Sequence, residues 1–214
     1  GPKAAGMEGT VATKVQSEVA SGPEKSQDPG RFRAARDRGG DYIAGRMRED
    51  GTVDDSHEQP SSFWGVPIAL AVSGHSDKAS RMLNWIRNPA FTPEGDFGPT
   101  PQKRENPGYA YQNAWLIEGA HRLGQFDLSE RGMDFITDFW DPESGGFYSS
   151  PSERESDTKQ DLWVVAGAGW CAIYTGMLDV AEGVGRWMKR MMDAQPNYPE
   201  EMYTVYSRAT GLIT

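Results

Sequence analysis

The stretch that decides the fold is GYAYQNAWLIEGAHRLGQFDLSERGMDFITDFWDPESGGF, residues 108–147. It begins with an apolar segment rich in small residues and reaches a Gly-x-x-Asp turn at Gly124 and Asp127. A segment with one apolar stripe follows, and the stretch ends in a turn at Gly145 and Gly146. Glycine commonly ends a helix, and apolar residues of period 3.6 predict a helix with one buried face. The stretch therefore predicts a helical hairpin followed by a turn.

The same pattern recurs at intervals of about 50 residues, and an internal repeat decides a fold class better than any single motif. The Gly-x-x-Asp turn occurs at residues 74–77, 124–127 and 176–179. Eleven residues after each turn glycine there is an aromatic residue, at Trp85, Phe135 and Trp187. Twenty-one residues after it there is a second turn, at Gly95, Gly145 and Asn197. A partial earlier copy ends at residues 50–53, so the sequence predicts a stack of hairpins.

The two helices of each hairpin differ in character. The first helices are predicted over residues 62–73, 109–123 and 161–175. They are apolar on nearly every side, which predicts burial, whereas the second helices carry one apolar stripe and a charged face. We expect the turn aspartates to cap the second helices, with Glu130 and Glu182 completing capping boxes in two copies. Residues 202–214 are predicted to begin another first helix.

The length and composition predict one globular domain with a polar lead-in. Residues 1–30 resemble a tag scar and flexible segment, with at most a short helix over 10–20, and the domain is predicted over 31–214. With 22 basic and 31 acidic residues the net charge is −9, which gives no attraction to nucleic acid or anionic lipid. The longest uncharged stretch, 162–178, is too short for a membrane span. The single cysteine, Cys171, excludes an intrachain disulfide and favours a cytoplasmic location.

The order of first helix, second helix and glycine turn resembles the α/α toroid superfamilies. The turns that carry this resemblance are Asp-Pro-Glu-Ser-Gly-Gly-Phe at 141–147 and Pro-Glu-Gly-Asp-Phe-Gly at 93–98. These superfamilies include terpenoid cyclases and protein prenyltransferases, and also sugar epimerases and glycan-processing (α/α)6 barrels. Tyr-Gln-Asn-Ala-Trp at 111–115 is similar to the Tyr-Gln-Thr-Ala-Trp of triterpene cyclase repeats. The resemblance covers 31–214 and implies an all-α fold, an α/α toroid in which inner helices surround a central cavity.

The number of hairpins predicts an incomplete ring. Six hairpins of this length require about 300 residues, whereas the sequence contains three hairpins and fragments. Three interpretations are open: a truncated or split polypeptide, a half toroid closed by a second chain, or an open solenoid. An exposed apolar helix favours aggregation. We therefore expect a second chain, or a second copy in a homo-oligomer, to complete the toroid.

The candidate catalytic residues precede the first complete hairpin. Asp54, Asp55, His57 and Glu58 lie within five residues. We expect such close titratable groups to raise the pKa of one carboxyl and to supply an acid/base pair. Thr-Val-Asp-Asp-Ser-His at 52–57 resembles the Asp-x-Asp-Asp-Thr-Ala element of class II terpenoid cyclases, whose middle carboxylic acid protonates an alkene or epoxide. This sequence has a threonine in place of the first aspartate. The alternative interpretation is a solvated loop whose carboxylates cap a helix.

The candidate substrate-binding residues lie near the starts of the first helices. They are Trp64, Tyr109, Tyr111, Gln112, Asp161 and Trp163. Aromatic faces bind apolar molecules, sugars and cations, although aromatics at helical spacing also form core, which we favour for Trp115 and Trp170. Glu118 and His121 share a helix face and are either a general base pair or ordinary residues near a helix end.

The remaining motifs restrict the chemistry. The sequence contains no P-loop, dinucleotide-binding glycine fingerprint or nucleophile elbow, and only three histidines, so we expect no cofactor and no metal. The leading hypothesis is a cofactor-independent acid/base enzyme, an isomerase, lyase or cyclase, that acts on a small molecule in the aromatic cavity of an α/α toroid. The alternative is a noncatalytic helical-repeat protein that binds a ligand or peptide.

Overall fold

The computed structural model describes residues 28–53, 63–98 and 108–214, and these residues are mostly helical. Their seven helices are α1 (Pro29–Gly45), α2 (Val66–Val72), α3 (Ser76–Ala90), α4 (Tyr109–Arg122), α5 (Phe126–Thr137), α6 (Leu162–Thr175) and α7 (Leu178–Asp193). Their three strands, β1 (Gln160–Asp161), β2 (Val205–Ser207) and β3 (Gly211–Ile213), form an antiparallel sheet in that order. The helix considered over 10–20 and the acidic cluster at 54–58 lie outside the described residues.

The helices form a stack of hairpins, as the repeat predicts. The hairpins are α2–α3, α4–α5 and α6–α7, and the first helices pack side by side with α4 between α2 and α6. Each second helix packs on its own first helix, and α1, α3 and α5 also contact the first helix that follows them. Helix α1 therefore takes the place of a second helix in the partial copy at the start of the stack.

The loops after α1, α3 and α5 contain the clearest structural repeat. Gly51, Gly95 and Gly145 have left-handed φ angles of 91°, 98° and 80°. A Cβ at these glycines would lie 2.5, 2.0 and 2.2 Å from the backbone oxygens of Arg81, Arg131 and Gly183, respectively, in the next second helix. Each of these three oxygens belongs to the residue seven positions after the glycine of a Gly-x-x-Asp turn, that is, after Gly74, Gly124 or Gly176. The sequence repeat thus corresponds to a repeated backbone contact that only glycine allows.

The apolar stripes of the second helices form much of the core. In α3, the side chains of Met82, Leu83 and Ile86 are fully buried. The first helix α4 is buried over most of its surface, as predicted. Helix α6 differs because nothing in the described part of the chain covers one of its faces, which exposes Trp163, Trp170, Ile173 and Tyr174.

Two local predictions are wrong. The second helices begin two residues after the turn glycines, so His75, Gln125 and Met177 occupy the N-cap positions, and none makes a side-chain capping bond. The aspartates lie in the first helical turn, where their charge favours the helix dipole, and the capping boxes with Glu130 and Glu182 do not form.

The final segment also differs from the prediction. Residues 202–214 contain the hairpin β2–β3 (Val205–Ile213) and no helix. Val205 and Tyr206 favour an extended backbone, and Gly211 has a left-handed φ of 75° that a helix does not accept. The hairpin pairs with β1, so it lies next to the beginning of α6.

Candidate functional site

A groove runs between the neighbouring first helices α4 and α6. It contains two adjoining cavities that share Tyr111 and Trp163. The first, which we name the aromatic groove, has a volume of about 520 Å³ and is lined by Tyr111, Ala114, Trp115, Glu118, Leu162, Trp163, Ala166, Gly167 and Trp170. The second, which we name the polar end, has a volume of about 370 Å³ and is lined by Trp64, Gly108, Tyr111, Gln112, Asp161, Trp163 and Val164. Every residue that lines the aromatic groove lies on α4 or α6, and helices hold side chains more rigidly than loops.

Small residues form the floor of the aromatic groove. A Cβ at Gly167 would lie 3.3 Å from the Tyr111 ring and 3.5 Å from the Ala114 Cβ atom. Near this point the Cys171 thiol donates a hydrogen bond to the Ala114 carbonyl oxygen at 2.8 Å. Because α4 and α6 approach each other here through residues with little or no side chain, space remains between the larger side chains on either side.

Aromatic side chains form the walls. The ring centroid of Trp64 lies 5.4 Å from that of Tyr111 and 5.6 Å from that of Trp115. The Tyr111 and Trp163 centroids are 6.3 Å apart, so one continuous set of rings extends from α4 to α6. Trp163 and Trp170 are 63% and 53% exposed. Their surfaces are therefore available to a bound molecule, unlike those of core aromatics.

Glu118 is the one carboxyl group in the described lining of the aromatic groove. Its side chain is buried, and burial raises the pKa of this carboxyl above its ordinary value. A hydrogen bond from Trp170 and the charge of Arg122 lower the pKa and oppose the effect of burial only in part. A carboxyl group in this environment is suited to accept a proton or to bind a positive charge.

Five of the six predicted substrate-binding residues meet at the polar end: Trp64, Tyr111, Gln112, Asp161 and Trp163. Asp161 caps α6, since its Oδ1 atom accepts a hydrogen bond from the Trp163 backbone N–H at 2.9 Å. Gln112 Oε1 and Trp115 Nε1 are buried and have no hydrogen-bond partner among the described residues. Such atoms are rare in proteins, and both belong to side chains that line the groove.

Tyr109 lies elsewhere. Its ring is buried and stacks on Phe139 at 5.9 Å between centroids, and its hydroxyl donates a hydrogen bond to Asp96. Two residues along a helix correspond to a rotation of about 200°, which places Tyr109 and Tyr111 on opposite sides of α4. Proximity to the helix start was therefore an insufficient guide to which side chains meet.

The candidate catalytic residues Asp54, Asp55, His57 and Glu58 lie outside the described residues. In the sequence they lie between Val53 and Phe63. Trp64, which follows Phe63, lines the polar end of the groove.

The other candidate histidines and the cysteine have structural contacts. His121 Nδ1 lies 3.1 Å from Ser129 Oγ, so the imidazole connects α4 to α5. His75 Nε2 lies 2.9 Å from Asp41 Oδ1 and links α3 to α1. Burial raises the pKa of the Cys171 thiol, which makes this thiol a poor nucleophile.

Trp115, Glu118 and Trp170 also line the groove, although the sequence favoured a core position for the two tryptophans and paired Glu118 with His121. The repeat register contains the signal that identifies them. Glu118 and Trp170 each lie six residues before a turn glycine, and Tyr111 and Trp163 each lie thirteen before it. Equivalent positions on adjacent parallel repeats face the same side of the stack, so these residues line one groove.

Neither a known protein family nor a curated protein matches the sequence. In the described ranges, no group of three or more histidine, cysteine, aspartate or glutamate side chains is arranged to hold a metal ion. No helix in those ranges is long and apolar enough to cross a membrane.

Proposed function

We propose that this chain binds a small organic molecule in the groove between α4 and α6 and acts on it by acid/base chemistry, as an isomerase, lyase or cyclase. The observation that supports the proposal most is the convergence of Trp64, Tyr111, Gln112, Asp161 and Trp163 around one cavity that continues into the aromatic groove. A largely apolar cleft with a few polar groups is the usual form of a small-molecule site.

Two sources of acid/base groups are available to this reaction. Glu118 lies inside the groove, and burial raises its pKa toward the range used by general acids. Asp54, Asp55, His57 and Glu58 precede Trp64 by at most ten residues, and we assign the proton transfer to one carboxylic acid of this cluster with a neighbouring partner. No cofactor is needed for such a reaction.

The test begins with a screen of water-soluble small molecules by ligand-observed NMR. Gly167→Leu fills the groove, whereas Gly185→Leu introduces the same side chain on α7 at a position with no neighbouring atom within 4 Å. We expect genuine ligands to lose binding to the Gly167→Leu protein and to keep it with the Gly185→Leu protein. Equal binding to both variants would contradict the proposed site.

Catalysis is tested by following each ligand for conversion. We expect Asp54→Asn or Asp55→Asn to lower turnover about 100-fold or more, as loss of a general acid does, while ligand binding is retained. His57→Ala and Glu58→Gln identify the partner group. Ser152→Ala, an exposed change away from the groove, serves as the control.

A noncatalytic ligand-binding function is the second candidate. It is favoured by the exposure of Trp163 and Trp170, since a reaction site is usually closed to water. This function predicts that ligands found in the screen are recovered unchanged after incubation with the protein.

We also propose that further hairpins complete an α/α toroid, supplied by a second chain or a second copy. Ala114 on α4 and Ala166 on α6 are equivalent, each ten residues before a turn glycine. Ala114 is 1% exposed because α6 packs beside α4, whereas Ala166 remains partly exposed and the nearby Ile173 is 58% exposed. Another first helix packed on α6 around Ile173 would cover the part of this face outside the groove and would enclose the groove on that side.

A further inference from the structure

We propose that the ligand of the aromatic groove is an organic cation with an alkylated ammonium group, held by the Glu118 carboxylate and the faces of the surrounding aromatic rings. This inference deepens the proposed function and depends on it, because it names the chemical class of the molecule bound between α4 and α6.

The first argument is the charge inside the groove. Glu118 is 9% exposed, and the described lining of the aromatic groove contains no lysine, arginine or histidine. Trp170 donates a hydrogen bond to Glu118, but no side chain of the lining carries a positive charge. A buried carboxylate is unfavourable unless a positive charge lies close to it, and a bound cation would supply that charge. Arg122 follows Glu118 by one helical turn, and its charge lowers the pKa of Glu118, but its side chain is exposed and does not line the groove.

The second argument is the composition of the walls. Tyr111, Trp115, Trp163 and Trp170 line the cavity that contains Glu118. The negative faces of aromatic rings attract cations, tryptophan most strongly, and an alkylated ammonium also buries its methyl groups against the rings. Neutral apolar ligands use the aromatic walls but gain nothing from the carboxylate. A cation is thus the ligand class that uses both features of the groove.

The third argument concerns how the ligand reaches the site. The chain has a net charge of −9, which attracts cations and repels anions at moderate salt concentration. Carboxylate or phosphate ligands would oppose both this overall charge and Glu118. The groove also has a volume of about 520 Å³, which is in the range of small-molecule sites.

The experiment compares two soluble probes of nearly equal shape: choline and its neutral isostere 3,3-dimethylbutan-1-ol. Isothermal titration calorimetry on the full chain gives both affinities. We expect choline to bind about tenfold more tightly or better, as a desolvated cation–π and carboxylate site implies. An equal or higher affinity for the neutral alcohol, or no binding of choline, would overturn the inference.

Two variants test the residues. Glu118→Gln keeps the side-chain size and removes the charge, and we expect it to weaken choline binding about tenfold without changing the affinity for the alcohol. Glu182→Gln is the matched control, because Glu182 is exposed on α7 and pairs with Arg186 at 2.8 Å. Trp170→Leu changes an exposed side chain, so it should fold normally, and it should reduce choline affinity several-fold.

The failure of this inference differs from the failure of the proposed function. Neutral compounds that bind the wild-type protein but not the Gly167→Leu variant would leave the small-molecule site in place and overturn only the cation assignment. Compounds that bind both proteins equally would overturn the site itself. Unchanged choline affinity in Glu118→Gln would overturn the assigned role of this carboxylate.

Discussion

At the scale of single residues, Glu118 is a carboxylic acid in an environment that disfavours its charged form. It lies among aromatic and small residues at the groove, where its carboxyl is buried. Burial disfavours the charged form, so the folded chain binds this proton more tightly than the unfolded chain does. The buried charge therefore reduces the stability of the protein in the absence of ligand, a common property of functional groups.

This raised pKa predicts a pH-dependent effect of Glu118→Gln. The stabilising contribution of the protonated carboxyl is present below its unfolded pKa and is lost as pH rises through the folded pKa. The variant should therefore match the wild type near pH 4 and be more stable at pH 7. Each tenfold difference in proton affinity corresponds to about 1.4 kcal/mol, or roughly 3–6 °C in Tm for a chain of this size.

Thermal unfolding followed by circular dichroism between pH 4 and pH 8 measures this difference. Glu182→Gln, at an exposed position, should show no comparable rise in relative stability. A Glu118→Gln protein that is less stable than the wild type at pH 7 would show that the carboxylate is favourable in the folded chain, contrary to this account.

At the scale of elements, the glycine loops connect one hairpin to the next. Gly145 has a φ of 80°, and a Cβ there would lie 2.2 Å from the backbone oxygen of Gly183. The neighbouring atom is backbone and is not free to rotate away. Gly185 provides a contrast. It lies on α7, the helix that the Gly145 loop contacts, but a Cβ at Gly185 would meet no atom within 4 Å.

These two glycines predict opposite effects of the same substitution. Gly145→Ala should lower the free energy of unfolding by about 2 kcal/mol or more, through left-handed backbone strain and overlap with α7. Gly185→Ala should raise it by about 0.5–1 kcal/mol, since alanine favours a helix interior. Urea unfolding measures both changes. An unchanged free energy of unfolding in the Gly145→Ala protein would contradict the repeated loop contact.

The sequence predicted the elements better than the detailed contacts between them. The repeat identified the three hairpins because Gly74, Gly124 and Gly176 recur at a fixed spacing. The predicted aspartate caps did not form, because a helix can begin before the aspartate and still benefit from its charge. Local patterns also did not distinguish a helix from a hairpin over 202–214, where pairing with β1 favours strands.

The residues of the candidate site were predicted in part, and their arrangement was not. Trp64, Tyr111 and Trp163 were identified as binding residues and do line the groove. Tyr109 lies near the same helix start but on the opposite side of α4. Trp170 resembles a core residue in sequence because it lies inside an apolar helix, and the sequence paired Glu118 with His121 instead of with the groove. Only the packing of α4 beside α6 shows which faces of these helices meet.

At the scale of the whole molecule, the uncovered face of α6 determines how the chain is expected to assemble. Trp170 and Ile173 are more than half exposed there. A face of this kind favours association. If a second copy or another chain completes the ring, the groove beneath this face becomes more enclosed, which favours catalysis over open binding.

Light scattering after size exclusion tests this assembly. We expect a mass above that of the 23.6 kDa monomer for the chain alone or mixed with its partner chain. Ile173→Asp should shift the protein toward the monomer without unfolding it, because the side chain is exposed in the described structure. A stable, nonaggregating monomer that binds and converts its ligand would contradict the completed ring.

The central claim is that the groove between α4 and α6 is the ligand site, and the seven tryptophans allow a direct measurement. Each indole N–H gives one signal in a ¹H–¹⁵N spectrum, and the signals are assigned by single substitutions. With the tightest-binding compound from the screen, we predict shifts of Trp64, Trp115, Trp163 and Trp170, which line the groove. Shifts confined to Trp85, Trp140 and Trp187, which lie outside it, would contradict the account.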